Sequence, residues 1–433
     1  MRLLFSILTF LYCSLIYSQN GIVHALYELP DVIFTQIETP EGYESAYELR
    51  IKQPLDHTDP SKGHFYQRAY LSHRDTDAPT VICTEGYGRS RNRVYELTEL
   101  LDGNQIDVEH RYYGASVPDS MDYRYLTLEQ ATADLHKIRT LFGEIYNGKW
   151  LSTGISKGGQ TTIYYRYFYP DDVTVSVPYV APLNLVLEEE RIYDFLDKVG
   201  SDECREKIYK IQKRMLKDRK HFLPLIKWYS KGAKLTFDYL SLEKAYEYAV
   251  LEYPFSFWQW GHDCNEIPPH NADADEVLEH FISVSNVDFF SDRDINGYSS
   301  HYYQAANQMG YYGYDTDDFK GLLKALHEKP NPSAIFTPNK MEVEFDGTLA
   351  QDVYNWIREN GDRFIHIYGE LDTWSATAVP VSKEVDAHWF ILKGEDHGGA
   401  RIRNMNEMDK AKLVRLLERW LSIDIKDDNG AKN

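Results

Sequence analysis

The sequence has 433 residues, with 67 Asp and Glu against 47 Lys and Arg, a formal net charge of −20 at pH 7. That length exceeds one small domain and calls for two domains, or one large domain carrying an insertion. The 19 Phe, 34 Tyr and 8 Trp exclude a disordered chain, and an acidic surface that repels phosphate backbones excludes nucleic acid as a partner.

The N-terminus opens with Met1 and Arg2, runs through an apolar stretch to Ser18 and turns polar at Gln19 and Asn20. One positive residue, a short apolar run and a small residue at its end describe a secretory signal peptide over 1–18. The run is too short for a convincing span, and no other stretch approaches the ~18 apolar residues that a crossing helix needs. The mature protein is expected to be secreted or periplasmic, with no stable membrane insertion. Cys13 offers a lipoprotein anchor, but bulky Tyr12 stands where such a signal wants a small residue. Export permits a disulfide, and Cys204 and Cys264 are available for one that would add roughly 4 kcal/mol. Cys83 lies in the apolar run Thr80–Cys83 and reads as a buried strand thiol. No CxxC or His/Cys cluster of zinc spacing occurs, so neither a structural metal nor a cofactor is expected.

Strand-like runs then alternate with helical patterns. Gln67–Leu71, Thr80–Thr84 and Gln105–Glu109 read as strands, and Leu128–Phe142 carries Ala131, Leu135, Ile138 and Leu141 at helical spacing. Trp150–Gly154 is a further strand, followed by a helix from about Gly158 to Tyr169 and a β-branched run Val173–Val177. This alternation implies a parallel sheet with helices on both faces. From about Leu183 to Val343 the pattern is mostly helical and rich in aromatic clusters, such as Phe255–Trp260 and Tyr302–Tyr312. Strands resume at Arg363–Tyr368 and Trp389–Leu392, and an amphipathic helix closes the chain over Lys410–Leu421. The expectation is an α/β-hydrolase fold with a mainly helical cap inserted between core strands. The core would occupy 19–182 and 347–433, and the cap 183–346.

The strongest local signal is Gly154-Ile155-Ser156-Lys157-Gly158. G-x-S-x-G between a strand and a helix is a nucleophile elbow, where small neighbours are needed because backbones crowd the turn. The plainer reading is an ordinary strand–helix turn. A serine nucleophile needs a base, and the base an orienting carboxylate, in the chain order Ser, Asp/Glu, His. Asp372 follows the strand ending at Tyr368, and His397 sits in a Gly-rich loop before the final helix. Glu370, Asp362 and Asp396 are rival acids, of which Asp362 precedes its strand and so falls at the wrong sheet edge. His366 lies inside a strand, and His57 and His110 come too early in the chain. The oxyanion hole needs two backbone N–H donors. Lys157, after the nucleophile, supplies one, and the loop Thr84–Gly88 supplies the other from Tyr87 or Gly86.

Gln53–His57, Glu109–Gly114, Gly154–Gly159 and Gly369–Trp374 resemble motifs of secreted serine exopeptidases. The group of lysosomal prolyl carboxypeptidase and dipeptidyl peptidase carries related motifs. The closer likeness is to the bacterial secreted tripeptidyl aminopeptidases of PS-ten type, over Gln53 to about Gly399. The resemblance implies Ser156 as nucleophile, Asp372 as acid and His397 as base, with oligopeptides as substrates cut near their amino ends. Thr373 departs from relatives that often have Pro there, which leaves the triad intact and the length of the released peptide open. Glu85, beside the oxyanion loop, could hold a substrate amino terminus or pair with Arg89, Arg91 or Arg111. Trp374 could line the pocket or pack under the acid loop. Two other functions use the same residues differently: a carboxylesterase with the same triad, and an inactive exported protein that binds peptide or glycan through exposed aromatics. The sequence does not specify an oligomeric state.

Overall fold

A computed structural model describes residues 21–326 and 330–425. The signal-peptide and Cys13 expectations lie outside the described residues. The chain divides into two compact units: residues up to Pro178 with Arg363–Ile365 and the residues from Asn406, and Tyr179–Asp362 with His366–Met405.

The first unit is built on strands β1 (Val32–Gln36), β2 (Ser45–Pro54), β3 (His64–His73), β4 (Thr80–Thr84), β5 (Asn104–Val108), β6 (Trp150–Ile155) and β7 (Val175–Tyr179). Their order is β1-β2-β3-β5-β4-β6-β7. The first three and β5 pair antiparallel, while β4 pairs parallel with both β5 and β6. Strands β4, β5 and β7 are buried along their whole length. Strands covered on both faces need apolar residues at successive positions, which is why Val81, Ile82 and Cys83 run without alternation. Helix α1 (Leu128–Phe142) starts at Thr127, whose side chain accepts the Gln130 N–H. Its Leu135, Ile138 and Phe142 pack into one cluster with Ile82, Ile106 and Trp150. Helix α2 (Lys157–Phe168) leaves β6 through Ser156 and is buried from Lys157 to Arg166.

In the second unit, Tyr179 at the end of β7 pairs in parallel with Ile367 of β8 (Ile365–Gly369), and β9 (His388–Leu392) lies beside β8. Helices α3 (Asp202–Lys217), α4 (Arg219–Gly232), α5 (Leu242–Gln259), α6 (Ala274–Val284) and α7 (Thr348–Asn360) are its longest helices among the described residues. Cys204 and Cys264 are bridged, with Cα atoms 5.4 Å apart, which ties α3 to the loop after α5. The central aromatics are mostly interior: Phe255, Phe257, Trp258, Tyr302, Tyr311, Tyr312 and Tyr314 are buried, whereas Trp260 is exposed. Most of the block's aromatic surface is thus used in packing, with Trp228 and Tyr298 exposed like Trp260. A mainly parallel sheet with flanking helices and a strand-to-helix elbow is the expected α/β-hydrolase fold.

The Glu109–Gly114 run is structural in its first half. Arg111 is fully buried and donates from Nε and Nη2 to the two oxygens of Asp134 on α1, at 2.7 and 2.8 Å. It also reaches the carbonyls of Pro54, Leu55 and Tyr125. His57 approaches the same carboxylate at 2.8 Å. Glu109 accepts from Arg68, from the Arg89 and Ala115 N–H groups and from Ser116. A Cβ on Gly114, which has φ +53°, would lie 2.2 Å from the Glu109 carboxylate, so glycine is required there. Removing one partner of a buried ion pair leaves the other charge uncompensated. Arg111→Met is therefore expected to lower unfolding free energy by about 3–5 kcal/mol, measured by chemical denaturation; a loss under about 1 kcal/mol would mean the pair is no more than a surface-type contact.

Candidate active site

Ser156 caps the N-terminus of α2 with φ 59° and ψ −124°, a conformation that side-chain-bearing residues rarely adopt. Such strain costs on the order of 1–3 kcal/mol and persists only where the surroundings enforce it. Here two glycines and one strand end enforce it. A Cβ on Gly154 would meet the Gly158 carbonyl oxygen at 2.3 Å and the Thr84 carbonyl oxygen at 2.6 Å. One on Gly158 would meet the same Thr84 oxygen at 2.4 Å. The Thr84 hydroxyl donates to the Gly158 carbonyl at 2.7 Å, so the end of β4 clasps the turn. The serine thus stands at the head of a helix, where N–H groups and the helix dipole favour developing negative charge.

The loop after β4 lies directly against this turn. A Cβ on Gly86 would fall 2.5 Å from the Lys157 Cβ and 2.8 Å from the Gly158 nitrogen. Lys157 itself is buried and donates from Nζ to the Gly86 carbonyl at 2.7 Å. Burial pulls its pKa down to about 7. Glu85 is held by Arg89 and by the Tyr95 hydroxyl, with Arg93 at 3.8 Å. Arg89 bridges onward to buried Asp107 at 2.9 Å. The Glu85 carboxylate is thus matched to guanidinium groups, the ion-pair alternative that the sequence left open. Its partners are Arg89 and Arg93; Arg111 is committed to Asp134.

In the second unit, β8 delivers Asp372 and the loop after β9 delivers His397. Asp372 is fully buried and His397 nearly so. His397 Nδ1 lies 2.9 Å from Asp372 Oδ2, and the other carboxylate oxygen accepts the Trp374 N–H at 3.1 Å. The His397 N–H donates to the Gln259 carbonyl at 3.1 Å, and Trp260 packs edge-on against the imidazole at 5.7 Å. Gly369 is needed where the two loops meet, because a Cβ there would lie 2.5 Å from the Glu395 carbonyl oxygen.

The rival groups are engaged elsewhere. Glu370 accepts the Gly394 N–H at 2.9 Å, Asp396 the Gly399 N–H at 2.6 Å, and Asp362 the Asp386 N–H at 2.6 Å. His366 is fully buried against Trp389, and burial pushes its pKa down to about 3. Trp374 is buried against Phe255, Tyr311 and Tyr312, which is the packing alternative. A cavity of about 600 Å³ opens beside Phe255 and Tyr312 and is edged by Asp197, Asp202, Glu206, Asp315 and Asp318 against Arg205.

A family model described as PS-10 peptidase S37 matches residues 21–427. The chain is 32% identical over 413 residues to a prolyl tri/tetrapeptidyl aminopeptidase of Streptomyces mobaraensis, covering 94% of this chain and 86% of the other. It is 27% identical over 160 residues to a lysosomal Pro-X carboxypeptidase of Bos taurus, covering 32% of each chain. Among solved structures, a proline iminopeptidase of Mycobacterium smegmatis aligns with a TM-score of 0.42 and 13% identity, over 86% of this chain and 99% of that one.

One ionisable group escapes sequence reasoning. Glu252, buried on α5, is bonded to the hydroxyls of Ser256, Tyr312 and Tyr314 at 2.8, 2.9 and 2.7 Å. Its helix neighbour Glu247 is matched to Arg219 and to the N–H groups of Lys324, Ala325 and Leu326. Burial pushes the Glu252 pKa up to about 7, against the lowering by its three hydroxyls. Between the ordinary carboxylate range and pH 7 the folded chain therefore holds a proton that the unfolded chain releases. This contribution favours folding at low pH and is progressively lost as pH rises through that window. Glu252→Gln is expected to be neutral near pH 4 and to stabilise by an amount on the order of 3 kcal/mol at pH 8, read from denaturation midpoints. An equal effect at both pH values would show that Glu252 does not titrate in that window.

Proposed function

Since this chain belongs to the PS-10 peptidase S37 family and is a serine peptidase, we propose that it releases short peptides, tripeptides foremost, from the amino end of oligopeptides. Ser156 attacks the scissile carbonyl while His397 takes its proton, and Asp372 accepts the Nδ1 hydrogen and holds the imidazole in the working tautomer. The backbone N–H groups of Lys157 and of Tyr87, with Gly86 as the rival, hold the oxyanion. His397 returns the proton to the leaving amine, and water then releases the acyl peptide from Ser156.

The observation that carries this reading is the Ser156 backbone, a non-glycine residue at φ 59° between a strand and a helix. Strain of that kind places a serine oxygen clear of the sheet edge. The 2.9 Å contact of Asp372 with His397, in the required chain order, supports it. The name of the Streptomyces relative supports release of three or four residues, with proline involved in recognition. With Glu85 neutralised, the carboxylate-rich cavity of the second unit is the chemically suited place for a substrate ammonium. Export is part of the proposal, supported by the Met1–Ser18 run and by a disulfide that an oxidising compartment favours. Among the described residues no helix is long and apolar enough to cross a membrane.

Mass spectrometry of products from a defined peptide library tests the reading. Tripeptides from free amino ends are expected, with N-acetylated peptides resistant and Ser156→Ala slower by roughly 10⁴-fold or more. Ester hydrolysis with no amide cleavage would make the chain a carboxylesterase. Internal cuts, or release only from carboxyl ends, would overturn the exopeptidase claim.

A further inference from the structure

Lysine is among the residues least often buried, yet Lys157 is 3% exposed. Its amine meets the Gly86 carbonyl at 2.7 Å and lies over the rings of Tyr87 and Tyr113, at 5.4 and 5.2 Å from their centres. Burying an amine is costly, and packing alone would be served by methionine, which has a stem of similar length. The polar end therefore needs a purpose, and the bond it makes supplies one. In a planar trans peptide the carbonyl and the N–H point in opposite directions. The carbonyl of Gly86 shares its peptide plane with the N–H of Tyr87. Drawing that carbonyl toward Lys157 turns the Tyr87 N–H the other way.

We propose that the Lys157 side chain is a positioning residue of the oxyanion hole. Its bond to the Gly86 carbonyl fixes the Gly86–Tyr87 peptide so that the Tyr87 N–H is aimed at the oxygen of the reacting carbonyl. This rests on the assignment of Ser156 as nucleophile and of Tyr87 as second donor. The chain is held on both sides of this peptide. The Glu85 N–H, in the Thr84–Glu85 peptide, donates to the Val108 carbonyl at 3.3 Å, and the Tyr87 carbonyl, in the Tyr87–Gly88 peptide, accepts the His110 N–H at 3.1 Å. Between them, Gly86 brings wide backbone freedom, and the Lys157 bond restrains the plane that carries the donor. One residue thus serves both halves of the hole, its own N–H at the helix start and the facing N–H through its side chain. Donors that are already aimed need no reorganisation as charge develops, which is the source of most of their effect.

The test compares wild type with Lys157→Met, which keeps the stem and removes the donor. Two ligands are used with each: a tripeptide aldehyde and the corresponding tripeptide alcohol. With the aldehyde, the Ser156 oxygen bonds to the carbonyl carbon, the π pair moves onto the carbonyl oxygen, and the hydroxyl proton passes to His397. The alcohol makes no such adduct. Lys157→Met is expected to lower kcat roughly 10- to 100-fold and to weaken the aldehyde by the same factor, with KM and alcohol binding unchanged. Lys157→Gln, whose amide ends short of the Gly86 carbonyl and so also loses the bond, is expected to give the same signature, which covers failure of the methionine variant to fold. Equal weakening of aldehyde and alcohol, or wild-type kcat and aldehyde affinity in a folded variant, overturns the proposal. A wild-type enzyme that ignores the aldehyde, or a Ser156→Ala variant that stays active, would instead overturn the underlying assignment of the nucleophile.

Discussion

The contact on which the first unit's chemistry depends is the approach of two backbones at the end of β4. The Thr84 carbonyl oxygen lies so near Gly154 and Gly158 that no side chain fits at either position. The Thr84 hydroxyl grips the same turn, bonding Gly158 and, on the next turn of α2, Thr162. With both flanks fixed, Ser156 has nowhere to relax, and its strained backbone is held by tight packing. The same crowding brings Gly86 against Lys157. The strain on the serine and the placement of its neighbouring loop are therefore two results of a single close approach.

Charge is used locally rather than as a diffuse surface property. The net −20 contains carboxylates with quite different fates. Asp134, Glu109, Asp107 and Glu247 are buried against guanidinium groups and lock loops to helices or strands. Buried pairs of this kind add little net stability but penalise any arrangement that separates them. Glu252 differs, since hydroxyls satisfy its oxygens without cancelling its charge. Its proton does what a cation does for the others, beside the aromatic packing of Phe255, Tyr312 and Trp374.

The parts of the site legible in the sequence were those fixed by backbone geometry. Gly154, Ser156 and Gly158 announce a turn that only small residues permit, and strand position separates Asp372 from Asp362. Helix α1 was legible because a 3.6-residue period and one buried face impose each other. What could not be read were partnerships set by how loops settle. The sequence left Arg89, Arg91 and Arg111 as partners for Glu85; the loop brings in Arg89 and Arg93, and Arg111 turns to Asp134. The partners of Glu252 include tyrosines sixty residues away in the chain, beyond any local pattern. The Lys157 side chain was equally silent, since a lysine after a nucleophile ordinarily reads as solvated.

Recognition of a chain end requires a carboxylate whose charge is not already matched. By that criterion Glu85, Asp107, Glu109, Asp134 and Glu247 are all disqualified, because each faces a guanidinium. Glu252 is a poor host too: an incoming ammonium would have to displace a tyrosine hydroxyl and take the place of a bound proton. Of the carboxylates edging the cavity of the second unit, Asp202 pairs with Arg205 and Glu206 with Lys210, which leaves Asp197, Asp315 and Asp318 without an ion pair among the described residues. Selectivity for amino ends would then come from where the negative charge is left unpaired, and the buried pairs contribute by keeping the other carboxylates out of competition.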